Sequence, residues 1–416
     1  MESYVKVKNL RKIILLLCFV ALGNFSVFAK KAANPVTYQT EFKPNSINKR
    51  LYYQLLDNDK IVFVLDLNKL GIKEPKRIFL EGSFNGWSKK NSSWELQKYK
   101  YSTWTYECNT EDVMIPGNSG FPEFKFYIIA DVEYEVRIVE ATSIRKRTEE
   151  SEPTLPNSFP GFQMATNNLI LLPQDDPSVI IENQKIAKKL KKLKDFDLTN
   201  ADDVAMISNF RLVPGTTKLF RGYHPYKVSR SEYDTESTRI KLVNQQIKEN
   251  GIKSIITLSG NESIDIKKET ISVYVSDIQK AGNQLFIKTH YNTVYYASNT
   301  REFGNMIGEI VKFIASHPGP YYVHCRLGTD RTGVISANLA ALCGANWNEI
   351  AEDYQKTNKM GIKEFRDYRL LQFSFEKMLG KKLSEIDDLQ KEVTDYYLNE
   401  KFFTQSDLKK LLENLK

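Results

Sequence analysis

The sequence predicts two unlike halves: an all-β sandwich, then an α/β domain whose mainly parallel central sheet is flanked by helices. Three observations carry this. Short β-rich runs punctuated by Pro, Gly and Asn fill residues 30–175. A lysine-rich stretch changes the texture over residues 176–204. From about 205 to 416, strand-like and helix-like segments alternate.

The first residues read as a targeting segment. Lys6, Lys8, Arg11 and Lys12 precede the apolar run Ile13–Ala21, and Val27 and Ala29 satisfy the small-residue rule for cleavage after Ala29. A signal peptide over 1–29 is expected, which makes the protein exported, periplasmic or secreted. The alternative is a retained anchor, but Ile13–Ala29 contains Gly23, Asn24 and Ser26 and is short for a span. No later stretch is long and apolar enough to cross a bilayer, so stable membrane insertion is not expected.

In the first half, Ile61–Leu65 and Ile78–Leu80 are compact β-rich runs. Trp104–Tyr106 and Phe124–Tyr127 alternate apolar and polar residues, and Leu169–Leu172 closes the set. The stretch Ile186–Lys194 interleaves lysines with Ile, Ala and Leu and predicts a short, solvated, basic helix that links the halves. Beyond it, Leu219–Arg221 and Ser254–Leu258 predict strands, with a helix over Ser237–Asn250 between them. Phe303, Met306, Ile307, Ile310, Val311 and Ile314 recur at helical spacing, and Pro318-Gly319-Pro320 stops that helix. Tyr321–Val323 is a short buried strand, and a helix runs from about Arg331 to Cys343.

Composition narrows the function classes. The net charge of +8 is spread along the chain, which suits anionic ligands and gives no nucleic-acid footprint. After cleavage only Cys108, Cys325 and Cys343 remain, too few for a disulfide framework. His224, His290, His317 and His324 form no spaced cluster, so neither a metal site nor a cofactor is expected.

The chemistry sits where the last strand meets the last-named helix, in His324-Cys325-Arg326-Leu327-Gly328-Thr329-Asp330-Arg331-Thr332-Gly333. This segment resembles the Cys-x5-Arg loop of the protein tyrosine phosphatase superfamily. A loop of this length can curl so that successive N–H groups of Arg326, Leu327, Gly328 and Thr329 point inward, toward an anion held at the helix N-terminus. The same field favours a thiolate on Cys325. Arg331 can grip two phosphate oxygens with its planar fork. Gly328 permits a turn that a side chain would obstruct. Thr332 can hydrogen-bond the sulfur as it leaves, and His324 belongs to the same catalytic string.

Thiolate attack needs a proton donor for the leaving oxygen. Most of the superfamily places an Asp on a separate loop roughly thirty residues before the Cys, but residues 278–324 contain no Asp. Some bacterial tyrosine phosphatases with a Cys-x-x-Gly-Lys-Asp-Arg loop, and the myotubularin lipid phosphatases, carry an Asp directly before the Arg. By that resemblance Asp330 is the acid; the alternative is that it pairs with a neighbouring cation and orders the loop. The chain departs from the bacterial pattern at Thr329, where Lys is usual. Asn209–Arg211, Leu219–Gly222, Trp347–Tyr354 and Phe402–Leu415 also resemble segments of that bacterial group.

In the first half, Gly82-Ser83-Phe84-Asn85-Gly86-Trp87, Phe124-Lys125-Phe126 and Asn167-Asn168-Leu169 resemble the early-set glycogen-binding modules of AMP-activated kinase β subunits and branching enzymes. The resemblance implies an immunoglobulin-like sandwich in which Trp87 stacks on sugar faces while Lys125 and Asn167 give polar contacts. The second aromatic is replaced by Tyr134, and the usual Asp-Gly before it is missing. The alternative places Trp87 in or near the core. The pairing of halves resembles glucan phosphatases. Three readings follow. One is an exported phosphatase acting on phosphotyrosine protein or a phosphorylated small molecule. Another is a phosphoglycan or phosphoinositide phosphatase. The third is an envelope carbohydrate-binding protein whose phosphatase fold does not turn over.

Overall fold

The computed structural model describes residues 36–43, 52–70, 72, 74–130, 133–136, 145–146, 163–164, 167–260 and 271–416. The expected signal peptide lies outside them. Among the described residues eleven strands come first: β1 (Tyr38–Gln39), β2 (Tyr53–Leu56), β3 (Lys60–Asp66), β4 (Arg77–Gly82), β5 (Gln97–Lys100), β6 (Thr103–Asn109), β7 (Glu123–Ile129), β8 (Glu133–Val136), β9 (Arg145–Lys146), β10 (Gln163–Met164) and β11 (Asn167–Leu169). They form two sheets, one ordered β1-β2-β3-β6-β5 and one ordered β10-β11-β7-β8-β9 with β4 also on β7. Alternate residues of β3 (Ile61, Phe63, Leu65) and β7 (Phe124, Phe126, Ile128) meet in one core, as the period of two demands. The rings of Phe63 and Phe124 meet edge to face at 5.0 Å. Trp94 packs between Phe84 and Tyr106.

The lysine run corrects one expectation. Helix α1 (Pro177–Lys188) ends before most of it. Lys189–Lys191 instead run extended beside residues 361–363: the Lys191 N–H donates to the Gly361 carbonyl at 2.8 Å, and the Lys363 N–H to the Lys189 carbonyl at 3.1 Å. Crowding five lysines onto successive turns sets like charges together, and the extended path satisfies the backbone without that repulsion.

Helix α2 (Ala201–Ser208) leads into the second half. There follow β12 (Arg211–Leu212), β13 (Leu219–Gly222), α3 (Glu236–Glu249), β14 (Ser254–Thr257), α4 (Val273–Lys280), β15 (Gln284–Phe286), α5 (Tyr291–Tyr296), α6 (Arg301–Ser316), β16 (Tyr321–His324) and α7 (Asp330–Leu342). Helices α8 (Trp347–Lys356), α9 (Tyr368–Leu379), α10 (Leu389–Asn399) and α11 (Gln405–Leu415) complete the chain. The sheet order is β12-β13-β16-β14-β15, with only the edge strand β12 antiparallel. Ile255 and Tyr322 face Val243, Ile247, Val275 and Ile278 of α3 and α4. Ile256 and Val323 face α6 and α7 on the other side. Burial on both faces is why these strands read as continuous apolar runs. β16 is the central strand, so its carboxyl end opens into the crevice where such sheets bind ligands.

The halves touch. The turn Pro116–Phe121 lies between α5 and the start of α9. Tyr291 donates to the Asn118 side-chain oxygen at 2.6 Å, and Tyr296 to the Pro116 carbonyl at 3.3 Å. The Asp367 N–H donates to the Asn118 carbonyl at 2.9 Å. The Arg369 guanidinium stacks 4.3 Å from the Phe121 ring centre, and Phe365 is buried in the core of the first half. Among the described residues no helix is long and apolar enough to cross a membrane.

Candidate active site

Cys325 is buried at the carboxyl end of β16, and α7 starts at Asp330, so Cys325–Thr329 form the turn between central strand and central helix. Three successive carbonyls of this turn are tied from behind. The His224 N–H donates to the Arg326 carbonyl at 3.2 Å. The Asn209 amide donates to the Leu327 carbonyl at 3.0 Å, and Arg221 to the Gly328 carbonyl at 2.7 Å. In a trans peptide the next residue's N–H points opposite to the carbonyl, so these bonds turn the N–H groups of Leu327, Gly328 and Thr329 to the other side as a cradle. Gly328 is required twice: its φ is 73°, and a Cβ there would lie 2.2 Å from the Gly222 carbonyl oxygen.

The supports are themselves supported. Arg221 is 1% exposed and donates to Asp353 at 2.7 Å. Arg211 donates to the other Asp353 oxygen at 2.5 Å and to the Asn209 side-chain oxygen at 2.5 Å, which orients the Asn209 amide toward Leu327. Burial pushes the Asp353 carboxyl up, but Arg211 and Arg221 outweigh it and hold the group below its ordinary range. His324 is fully buried, with Nε2 3.0 Å from the Thr257 hydroxyl and Nδ1 3.1 Å from the Cys325 carbonyl. The Gln284 amide donates to the same Thr257 oxygen at 2.9 Å. Thr257 can therefore donate to Nε2, leaving Nδ1–H to fix the Cys325 carbonyl.

The expected anion ligands gather around this turn. Arg331 gives Nη1 to the Leu258 carbonyl at 3.0 Å and the Thr289 carbonyl at 3.4 Å, which fixes its plane and leaves its other donors for a ligand. The hydroxyls of Thr329 and Thr332 are buried without a hydrogen-bond partner among the described residues. Arg326 stands exposed on the rim.

Asp330 sits at the shoulder of the loop, and its carboxylate is filled by donors. Arg366 reaches Oδ1 at 2.5 Å and Oδ2 at 3.1 Å, and Tyr295 donates to Oδ1 at 3.1 Å. Arg366 also meets Glu364 at 3.1 Å, and Tyr295 lies 2.7 Å from the Tyr354 hydroxyl. Burial, then Tyr354 and Asp330, raise the Tyr295 hydroxyl well above its ordinary range, so it stays a donor.

Burial pushes the Cys108 and Cys343 thiols up to about 12. Among the described residues, no group of three or more His, Cys, Asp or Glu side chains could hold a metal ion.

Sequence reasoning did not name Asn209, Arg221, Asp353, Tyr295 or Arg366 as functional. One signal was present. Arg221 interrupts an otherwise apolar strand, and a charge in such a place requires a buried partner.

In the first half, Trp87, Lys125 and Asn167 share one pocket of about 260 Å³ with Glu81, Glu123, Asn118, Lys89 and, from the second half, Tyr291. Trp87 is outside the core, at φ 59°, with the Lys125 ammonium 5.7 Å from its ring centre. Lys125 also pairs with the fully buried Glu81 at 3.2 Å. Glu123 accepts from the Ser119 N–H and the Asn167 amide, each at 2.8 Å. Tyr134 lies on β8, in register with Ile128 of β7; its side chain is outside the described ones.

A model of the tyrosine phosphatase family matches residues 185–416. No curated protein matches. Among solved structures, the core catalytic domain of the PP-IP phosphatase SIW14 from S. cerevisiae, in complex with citrate, is similar at 16% identity and a TM-score of 0.25. The match covers 46% of this chain and 94% of that one.

Proposed function

We propose that this chain, which belongs to the tyrosine phosphatase family, hydrolyses phosphomonoesters of the tyrosine or dual-specificity class through a phosphocysteine. The observation that carries this is the tying-back of three consecutive loop carbonyls beside Cys325, which aims the loop amides at a common point. There the Cys325 thiolate attacks phosphorus and the ester oxygen departs with a proton. Water then attacks the phosphocysteine, releasing phosphate and the thiolate. The loop amides and Arg331 carry the charge that builds on the phosphoryl oxygens, and the Thr332 hydroxyl serves the departing sulfur. Asp330 handles the leaving-group proton, with Arg366 and Tyr295 setting where its carboxylate stands. Hydrolysis of p-nitrophenyl phosphate by wild type and by Cys325→Ser tests the reading. Wild-type turnover with background rates in the variant is expected, and equal background rates in both would sink it.

A second reading has its own observation. The shared pocket of Trp87, Lys125 and Asn167 combines an aromatic face with polar groups, as a sugar ring requires. It supports an immunoglobulin-like sandwich that delivers a phosphorylated glycan, and the exported location inferred from residues 1–29 places that glycan in the envelope or outside the cell. Trp87→Ala is expected to lower retention on a glucan matrix, while no retention of wild type would leave the sandwich a scaffold.

A further inference from the structure

We infer that Asn118, in the first half of the chain, is a positioning residue for Asp330 in the active site. The inference rests on the phosphatase reading above. Two groups hold the Asp330 carboxylate, Tyr295 and Arg366. Each is backed by a group that Asn118 holds.

The first arm runs through α5. The Asn118 side-chain oxygen accepts from the Tyr291 hydroxyl at 2.6 Å. Tyr291 and Tyr295 are one helical turn apart on the same face, and their ring centres lie 4.8 Å apart. The second arm runs through the segment before α9. The Asn118 carbonyl accepts from the Asp367 N–H at 2.9 Å, next to Arg366 in the chain. The space around the turn allows little slack: a Cβ on Gly120 would come within 2.5 Å of Asp367. One residue of the sandwich thus fixes both sides of the clamp on Asp330. Cutting either arm lets the carboxylate drift relative to Cys325, and displacements of ångström size are costly to catalysis.

Asn118→Ala cuts the first arm alone, since the backbone bond to Asp367 survives. Tyr291→Phe cuts the same arm from the other side and keeps the ring. Each is expected to lower kcat about three- to tenfold, the worth of one hydrogen bond, with KM little changed. The double variant is expected to lose no more than either single one. The loss is also expected to follow the leaving-group pattern of Asp330→Asn, and Asn118→Ala in an Asp330→Asn background is expected to add nothing. Thermal melting of each variant reports folding separately. Active wild type with unchanged kcat in Asn118→Ala overturns the inference alone. So does a loss that adds fully to that of Asp330→Asn. Wild type as inactive as Cys325→Ser overturns the phosphatase reading and this inference with it.

Discussion

At the scale of single residues, Asp330 carries the sharpest question. Its place before Arg331 fits a proton donor, yet the structure fills its oxygens with N–H and O–H donors from Arg366 and Tyr295. Asp330→Asn separates the two roles. If Asp330 donates, turnover of an alkyl phosphate is expected to fall by about 100-fold or more. The rate with p-nitrophenyl phosphate, whose leaving group needs little protonation, is expected to fall far less. A uniform loss across leaving groups would make Asp330 an ordering residue for the loop. Gly328 poses no such question: positive φ and the Gly222 carbonyl behind it leave no room for a side chain.

At the scale of elements, legibility follows sequence distance. The strand Tyr321–His324, the turn and helix α7 are contiguous, so apolar run, turn and helix start could be read directly. The bonds that shape the turn were not readable, because they join distant segments. Arg221 reaches Gly328 across 107 positions and Asp353 across 132. No local pattern encodes such a pairing, although the unexplained arginine in β13 marked the place. The strands of the first half were legible as elements, and Trp87, Lys125 and Asn167 share one pocket. The pocket's wall from α5 was not legible, because Tyr291 comes from the other half of the chain. The lysine run misled for a physical reason. Composition suggested one solvated helix, but backbone pairing with residues 361–363 holds Lys189–Lys191 extended.

At the scale of the whole molecule, two buried carboxyls give the halves opposite responses to pH. In the first half, burial raises Glu123 above its ordinary range, against the lowering effect of Asn167, Ser119 and Arg366. Its native form therefore binds a proton more tightly than its unfolded form. Its contribution is complete below the unfolded value, about 4.3, and is lost as pH rises through the native one. In the second half Asp353 is the reverse: burial raises it, but Arg211 and Arg221 prevail and lower it. Its contribution is complete above the unfolded value, about 3.9, and is lost as pH falls through the native one. Melting temperatures of wild type, Glu123→Gln and Asp353→Asn across pH 3 to 8 test both signs. The deficit of Asp353→Asn is expected to be largest near neutrality, where it leaves the buried Arg221 and the partly buried Arg211 short of a counter-charge, and to close below about pH 4. The difference between Glu123→Gln and wild type is expected to move in the variant's favour as pH rises from about 4. Parallel curves for all three proteins would refute the assignment. Because Arg366 acts on both Glu123 and Asp330, the charge state of the pocket in the first half bears on the cation that holds the Asp330 carboxylate. Activity of Glu123→Gln measured over the same range then shows whether the seam between the halves carries that charge to the loop.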